Sequence, residues 1–303
     1  MAILSSALVQ ALFVGYRREF QQALADTPTQ FEKVATVVPS ATKSSTYAWL
    51  GQFPAFREWV GTRTVKDIAA SGYSITNKNW ESTVGVLRTD IEDDNVGVYS
   101  PLFAEMGRAA KAQPDEMVFK ALADGRSTLC YDGQYFFDSD HPVYPNADGT
   151  GTAVSTANHD VDLTARPTGK IWYLLDTGRA LKPIIYQQRK APVLTAMTKL
   201  DDEQVFTNNQ FRFGADSRGN VGYGFWQLAY ASNQPLTAAN YAAARAAMQA
   251  FKADGGRPLG ITPTTLVVPP VLEGAGRKLL VKDENGGNEW AGSAELVATP
   301  WLT

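Results

Sequence analysis

The chain has 303 residues, 44% of them hydrophobic and 19% charged, with a formal net charge of −3. That length allows one or two lobes with a real core, and the lack of a basic excess speaks against nucleic acid as a direct ligand. Cys130 is the only cysteine, which excludes an intrachain disulfide and a cysteine-based zinc site.

At the N-terminus, Leu4, Leu8, Leu12, Tyr16, Phe20 and Leu24 repeat every four residues, the spacing of an amphipathic helix. No Lys or Arg precedes this apolar stretch, and Arg17, Arg18 and Glu19 stand before Ala23-Leu24-Ala25, the wrong charge order for a secretion signal. No apolar run approaches the roughly 20 residues of a membrane span. The reading is a soluble chain that opens with a sticky helix in need of a partner. Pro28, Pro39 and Pro54 then punctuate an extended arm, so residues 1 to 60 form a helix and arm with little core of their own.

Residues 61 to 99 read as a long hairpin. Tyr73, Ile75 and Asn77 alternate on one strand, Trp80, Ser82, Val84, Val86 and Arg88 on the other, and Asn77-Lys78-Asn79 is the expected turn. An isolated ribbon is marginal in water, so it must lie on its own body or on a neighbour. Asp90, Glu92, Asp93 and Asp94 close it, and their bland reading is a solvated turn rather than a cation site.

Ser100-Pro101 looks like a helix start, with Ser100 as cap. Leu102, Met106, Ala109, Ala110, Met117, Val118, Ala121 and Leu122 form one stripe, and Pro114 is expected to kink or split the helix of residues 101 to 123. Asp132-Gly133 signals a short hairpin. Residues 138 to 168 read as loop, and 171 to 175 and 183 to 188 as strands.

A second lobe is expected from about residue 190. Gly214, Gly219, Gly222 and Gly224 suggest a turn-rich stretch before a strand at Phe225 to Tyr230. Thr237 caps an Ala-rich helix that buries Tyr241, Met248 and Phe251 and ends at Gly255-Gly256. A strand at 265 to 268, a helix opened by Pro269-Pro270, a turn at Asn285 to Asn288 and a last strand at 295 to 298 complete an α+β order.

Chemistry is sparse. Asp138, Asp140 and His141, with His159-Asp160, are the most site-like cluster, but an Asx-rich loop explains them as well. The spacing Gly214-x₄-Gly219 lacks the Lys of a phosphate loop, and Gly222-Tyr-Gly224 lacks the third glycine of a dinucleotide fingerprint. Cys130 reads as a small hydrophobe. Arg179, Lys182, Arg189 and Lys190 read as a solvated face or ion-pair site.

Longer strings carry more. Residues 172 to 183 (WYLLDTGRALKP), 222 to 230 (GYGFWQLAY), 236 to 241 (LTAANY), 256 to 261 (GRPLGI), 266 to 270 (LVVPP) and 300 to 302 (PWL) resemble the major head subunits of Mu-like tailed phages. Residues 91 to 94 (IEDD), 97 to 101 (GVYSP) and 136 to 142 (FFDSDHP) extend the likeness; Gly178 and Ala180 depart from it, where Ser and Pro are expected.

The resemblance implies the Hong Kong 97-type capsid fold. Its parts would be an N-terminal arm (1 to 60), an extended loop (61 to 99), a peripheral domain with a spine helix (100 to 190) and a mainly axial domain (191 to 303) whose last strand can return to the peripheral one. It further implies hexamers and pentamers of identical subunits in an icosahedral virion shell around double-stranded DNA, with no cofactor. Partners would be a scaffold protein, a portal and a decoration protein, with assembly in the host cytoplasm. Tyr73, Ile75, Trp80 and Val84, with Leu4, Leu8 and Leu12, are the expected subunit contacts. The rivals are a cellular nanocompartment shell, which would need a cargo-binding inner groove, and a metal-dependent hydrolase built on Asp138, Asp140 and His141.

Overall fold

The computed structural model describes residues 5–50, 72–93, 96–161, 171–281 and 287–302. Helix α1 (Ser6–Asp26) starts at Ser5, whose hydroxyl accepts from the Leu8 N–H at 3.2 Å. Of its four-residue apolar repeat Tyr16 and Phe20 are buried, and Val9 joins them from beside it. A single turn, α2 (Phe31–Val34), leads into β1 (Ala35–Pro39), followed by β2 (Ser44–Thr46), β3 (Ser74–Thr76) and β4 (Lys78–Leu87). After α3 (Arg88–Glu92) comes α4 (Ser100–Asp124), about 37 Å long at 1.5 Å per residue.

The strands β5 (His141–Val143) and β6 (Val154–Thr156) pair with each other, so the expected loop of residues 138 to 168 holds a small ribbon of its own. Then follow β7 (Trp172–Leu175), β8 (Ile184–Met197), α5 (Glu203–Asn208), β9 (Gln210–Tyr223), β10 (Ala229–Ser232), α6 (Ala238–Gln249), β11 (Thr265–Val268), α7 (Glu273–Leu280) and β12 (Glu295–Ala298).

Two four-stranded sheets organise these elements. The first has the order β1-β8-β9-β4, and the long antiparallel pair β8–β9 is its backbone. α1 and α4 cover one stretch of it, and Tyr16, Phe103 and Phe213 pack there with ring centroids 4.2 to 5.5 Å apart. The second has the order β10-β7-β11-β12. Every residue of β7, β10 and β11 is buried, beneath Tyr241 and Met248 of α6 and Leu279 and Leu280 of α7. Strands buried on both faces read as unbroken apolar runs, which is why Trp172–Leu175 and Thr265–Val268 are recognisable in the sequence.

Several local expectations need correction. There is no turn at 77–79. The chain runs on from β3 into β4, β3 pairs with β2, and β4 pairs with β9 over ten residues. The reason lies in Asn77, which is buried: its Nδ2 donates to Ser40 Oγ at 3.0 Å and Thr42 O at 2.9 Å, and its Oδ1 accepts from Gln187 Nε2 at 2.9 Å. An Asn so engaged belongs to the fold's interior and not to a reverse turn.

Ser100 is not the cap of α4. A 3₁₀ turn, Val96–Tyr99, feeds the helix directly and places Ser100 inside it. Pro114 does not divide α4, which continues to Asp124. Gly214, Gly219 and Gly222 lie inside β9, not in turns. At Gly219 a Cβ would crowd the Gln187 carbonyl oxygen at 2.8 Å, and at Gly222 it would collide with Ile75, so these glycines admit close neighbours. Nor does the chain break at 190, since β8 passes through it with only bulges between Gln188 and Val193. The Asp132-Gly133 turn forms, with Gly133 at φ 85°; the Cys130 N–H donates to Gln134 O at 2.8 Å and the Phe136 N–H to Thr128 O at 3.1 Å around a Leu129–Tyr135 bridge, without extended strands.

Candidate assembly surface

The most chemical-looking residues form a sealed cluster of different membership from that expected. His141 is fully buried, stacks on Trp226 at 4.1 Å, and bonds through Nδ1 to Asp132 Oδ2 at 2.7 Å. The Cys130 thiol donates to the other Asp132 oxygen at 3.0 Å. Burial raises the Asp132 carboxyl, but its bonds to His141 and Cys130 outweigh this and leave it below the ordinary range. Burial and the Asp132 charge push the Cys130 thiol far up, so it stays protonated and unreactive.

Asp138 and Asp140 do not converge with His141. Asp138 accepts from the backbone N–H groups of Tyr135 and Ser139, and Asp140 is exposed, receiving only the Ser139 hydroxyl at 3.3 Å. His159 accepts the Val161 N–H at 3.1 Å, and burial lowers its pKa. These groups pin loops to the second sheet.

The basic residues are spent within the chain. Arg179 pairs with Asp176 at 3.1 Å and donates to Leu259 O and Gly260 O; Lys190 pairs with Asp216; Lys182 reaches the Glu32 carbonyl; Arg189 reaches Ser40 O at 3.3 Å. The acidic run is engaged too: Asp90 accepts from the Tyr99 hydroxyl, and Glu92 pairs with Arg88 at 2.9 Å, while Asp94 lies outside the described residues. A groove of about 520 Å³ where α1 ends beside α4 is lined by Ala23, Pro28, Pro101, Ala104, the Glu105–Arg108 pair and Trp301, a wall without an imidazole or a thiol.

The expected contact residues are largely turned inward. Ile75 is 3% exposed against Gly222; Trp80 is half-buried and donates Nε1 to Gly219 O at 3.1 Å; Tyr73 accepts the Tyr223 N–H at 2.7 Å; Val84 packs on the core beneath α1. Leu8 and Leu12 are half-buried against that same core, so the opening helix finds its first partner within its own chain, chiefly α4. Leu4 lies outside the described residues.

What stays open is one end of the first sheet. Gln10 Nε2 donates to Thr198 Oγ1 at 3.1 Å, Tyr16 to Val96 O at 3.2 Å, and the Arg88 N–H to Asn209 O at 3.0 Å. These bonds gather the start of α1, the end of β4, the entry to α4 and the α5 tip. On and beside these elements Val14, Leu87, Val98, Leu102, Met197, Leu200 and Phe206 are exposed. A concentration of large apolar groups at one end of a folded chain is the mark of an interaction surface. Sequence reading left 191 to 213 unassigned, although Asp202 before the run Val205-Phe206 and Asn209 after it were usable start and stop signals.

Comparison with known proteins decides what interacts. The sequence matches the family described as Mu-like prophage major head subunit gpT over residues 9–302. The chain belongs to this family of phage head subunits. Such membership makes it a major capsid protein, a structural subunit of the phage head and of the virion, and not an enzyme. It is 48% identical to the major capsid protein of Escherichia phage Mu, over 99% of this chain and 100% of that one. The subunit in the procapsid of bacteriophage JBD30 is 53% identical with a TM-score of 0.84, covering 98% of this chain and 100% of that one.

The subunit of the JBD30 capsid decorated with minor capsid protein trimers aligns at 40% identity with a TM-score of 0.75, each chain covered in full. The α+β architecture is accordingly that of the Hong Kong 97-type phage capsid proteins. For a head subunit, the sealed Cys130–Asp132–His141 cluster reads as framework and the apolar end as the working surface.

Proposed function

We propose that copies of this chain, as hexamers and pentamers, close an icosahedral shell around double-stranded DNA in the host cytoplasm. A scaffold protein directs a precursor shell, a portal occupies the entry point, and the shell expands as DNA enters. A minor protein then decorates the outside, in keeping with the trimers named for the JBD30 capsid. DNA is enclosed without sequence-specific contacts, which suits a net charge of −3 and the pairing of Arg179 and Lys190 within the chain.

In this reading residues 1 to 60 hold the arm, α4 is the spine of a peripheral domain formed with the first sheet, and the second sheet is the axial domain. The outward parts of Leu8 and Leu12 are among the segments a neighbour covers.

The observation that carries this is the unfinished end of the first sheet. Many modest apolar contacts, repeated by symmetry, close a shell. Cryo-electron microscopy of particles made by the chain with its scaffold should give closed shells with six-fold and five-fold capsomers. A monodisperse monomer under those conditions would contradict the proposal.

A further inference from the structure

We infer that Cys130, Asp132 and His141 form a structural site for one divalent ion of the zinc class. Each offers a ligand atom, and the three atoms lie within 4.8 Å of one another. A single cysteine cannot build a thiolate-rich zinc site, but a mixed set of sulfur, oxygen and nitrogen needs only one. Zinc accepts all three donor types, whereas magnesium and calcium call for oxygen. The donors are set before any ion arrives. Gly133, at φ 85°, turns the chain between Cys130 and Gln134, whose N–H donates to Asp132 Oδ1 at 3.1 Å. His141 opens β5 and lies flat on Trp226, with ring centroids 4.1 Å apart and planes 9° from parallel. Outer contacts of this kind orient the ligands of metal sites.

Charge and access both suit a cation. One carboxylate and one thiolate neutralise a dication, so the loaded site carries no net charge where an unbalanced one is costly. Without the ion, burial and the neighbouring carboxylate keep the thiol protonated. A coordinated ion reverses that balance and deprotonates the thiol outright. On binding, the Cys130 proton leaves to solvent, and the imidazole proton moves from Nδ1 to Nε2 as Nδ1 takes the metal. The Tyr135 carbonyl oxygen, 3.9 Å from the sulfur, is placed to complete four-coordination. The Asp132 side chain keeps 10% exposure, against 0% for His141, and is the way in. Once bound, the ion ties the 130–135 turn to β5 and so to the second sheet.

The full-length subunit tests this directly. Loaded with zinc and dialysed into metal-free buffer, it should retain about one zinc per chain by elemental mass spectrometry. Cobalt(II) in place of zinc should give a thiolate-to-metal charge-transfer band in the near ultraviolet and the strong visible bands of a four-coordinate site. Zinc at about 100-fold over its dissociation constant should raise the melting temperature by about 5 °C. Cys130→Ser, checked for native circular dichroism, should lose the cobalt band and most of the bound zinc. Asp140→Asn, at an exposed carboxylate outside the set, should keep both. A folded wild-type chain without the cobalt band overturns the site. Zinc held equally by Cys130→Ser would be an adventitious ion only, which overturns it too. Where Cys130→Ser fails to fold, the wild-type cobalt spectrum decides alone. The shell reading stands or falls separately from this result.

Discussion

The two four-stranded sheets of this subunit differ in completeness. Around the second, Trp172, Trp226, Tyr241 and Leu266 are at most 1% exposed, and three whole strands are buried between helices and loops. Around the first, a smaller core of Val9, Phe103, Phe211 and Phe213 is equally dry inside, yet its outer shell at the tip exposes Val14, Val98, Leu200 and Phe206. β4 adds an open edge, since among the described residues it pairs only with β9. In the proposed reading, the second sheet supplies the sealed core and the open end of the first is completed by assembly. Stability and association can thus be assigned to different parts of one chain.

Substitutions can break that division or sharpen it. The largest effect is expected from Trp172→Ala, which empties the finished core and orphans the Gln234 carbonyl that accepts its indole N–H at 2.8 Å. It should cost about 3–5 kcal/mol in denaturant unfolding and leave little folded protein.

Gly107→Val comes next. A Cβ there would collide with the Phe20 carbonyl oxygen and wedge α1 from α4. A loss of about 1–3 kcal/mol is expected, with faster amide exchange in α1 and none in β7 or β11. Equal exchange in both regions would show that the cores are not separable.

Two buried carboxylates give the comparison a pH dependence of opposite sign. Asp132 sits below its ordinary pKa, so its ionised form favours the fold; that contribution is present above the ordinary carboxylate range and lost as pH falls through the lowered value. Asp115, which accepts the N–H groups of Gln30 and Phe31 at 2.9 and 2.7 Å, is pushed up by burial despite those bonds. Its contribution is present below the ordinary range and lost as pH rises through the raised value. Asp132→Asn should therefore cost roughly 1–3 kcal/mol at neutral pH and flatten the loss of stability on acidification. Asp115→Asn should steepen it. Melting curves from pH 3 to 7 read both slopes.

The smallest effect on the free subunit belongs to Val14→Ser. At 67% exposure it should shift stability by no more than about 0.5 kcal/mol, and a larger drop would mean that Val14 is covered within the monomer.

Legibility in the sequence followed locality. Thr237 announces α6 because its hydroxyl accepts the Asn240 N–H three residues on, and in the β12 strand at Glu295–Ala298 the short apolar run Leu296 to Ala298 is legible. Asn77 misled because its turn-like neighbours conceal bonds to Ser40, Thr42 and Gln187, contacts 35 to 110 residues away. The glycines of β9 misled for a related reason: what they admit, Gln187 and Ile75, comes from remote strands. The family strings disclosed the fold, but Phe206 lay outside them. Its exposure is a property of where α5 sits and cannot be seen in a six-residue stretch.

The central claim is that neighbours complete the first sheet's open end and leave the second sheet alone. Hydrogen–deuterium exchange of the free subunit against assembled heads tests it directly. The account predicts slower exchange on assembly in α5, the entry to α4 and the β4 edge, with β7 and β11 unchanged. Equal protection of α5 in subunit and head would contradict it.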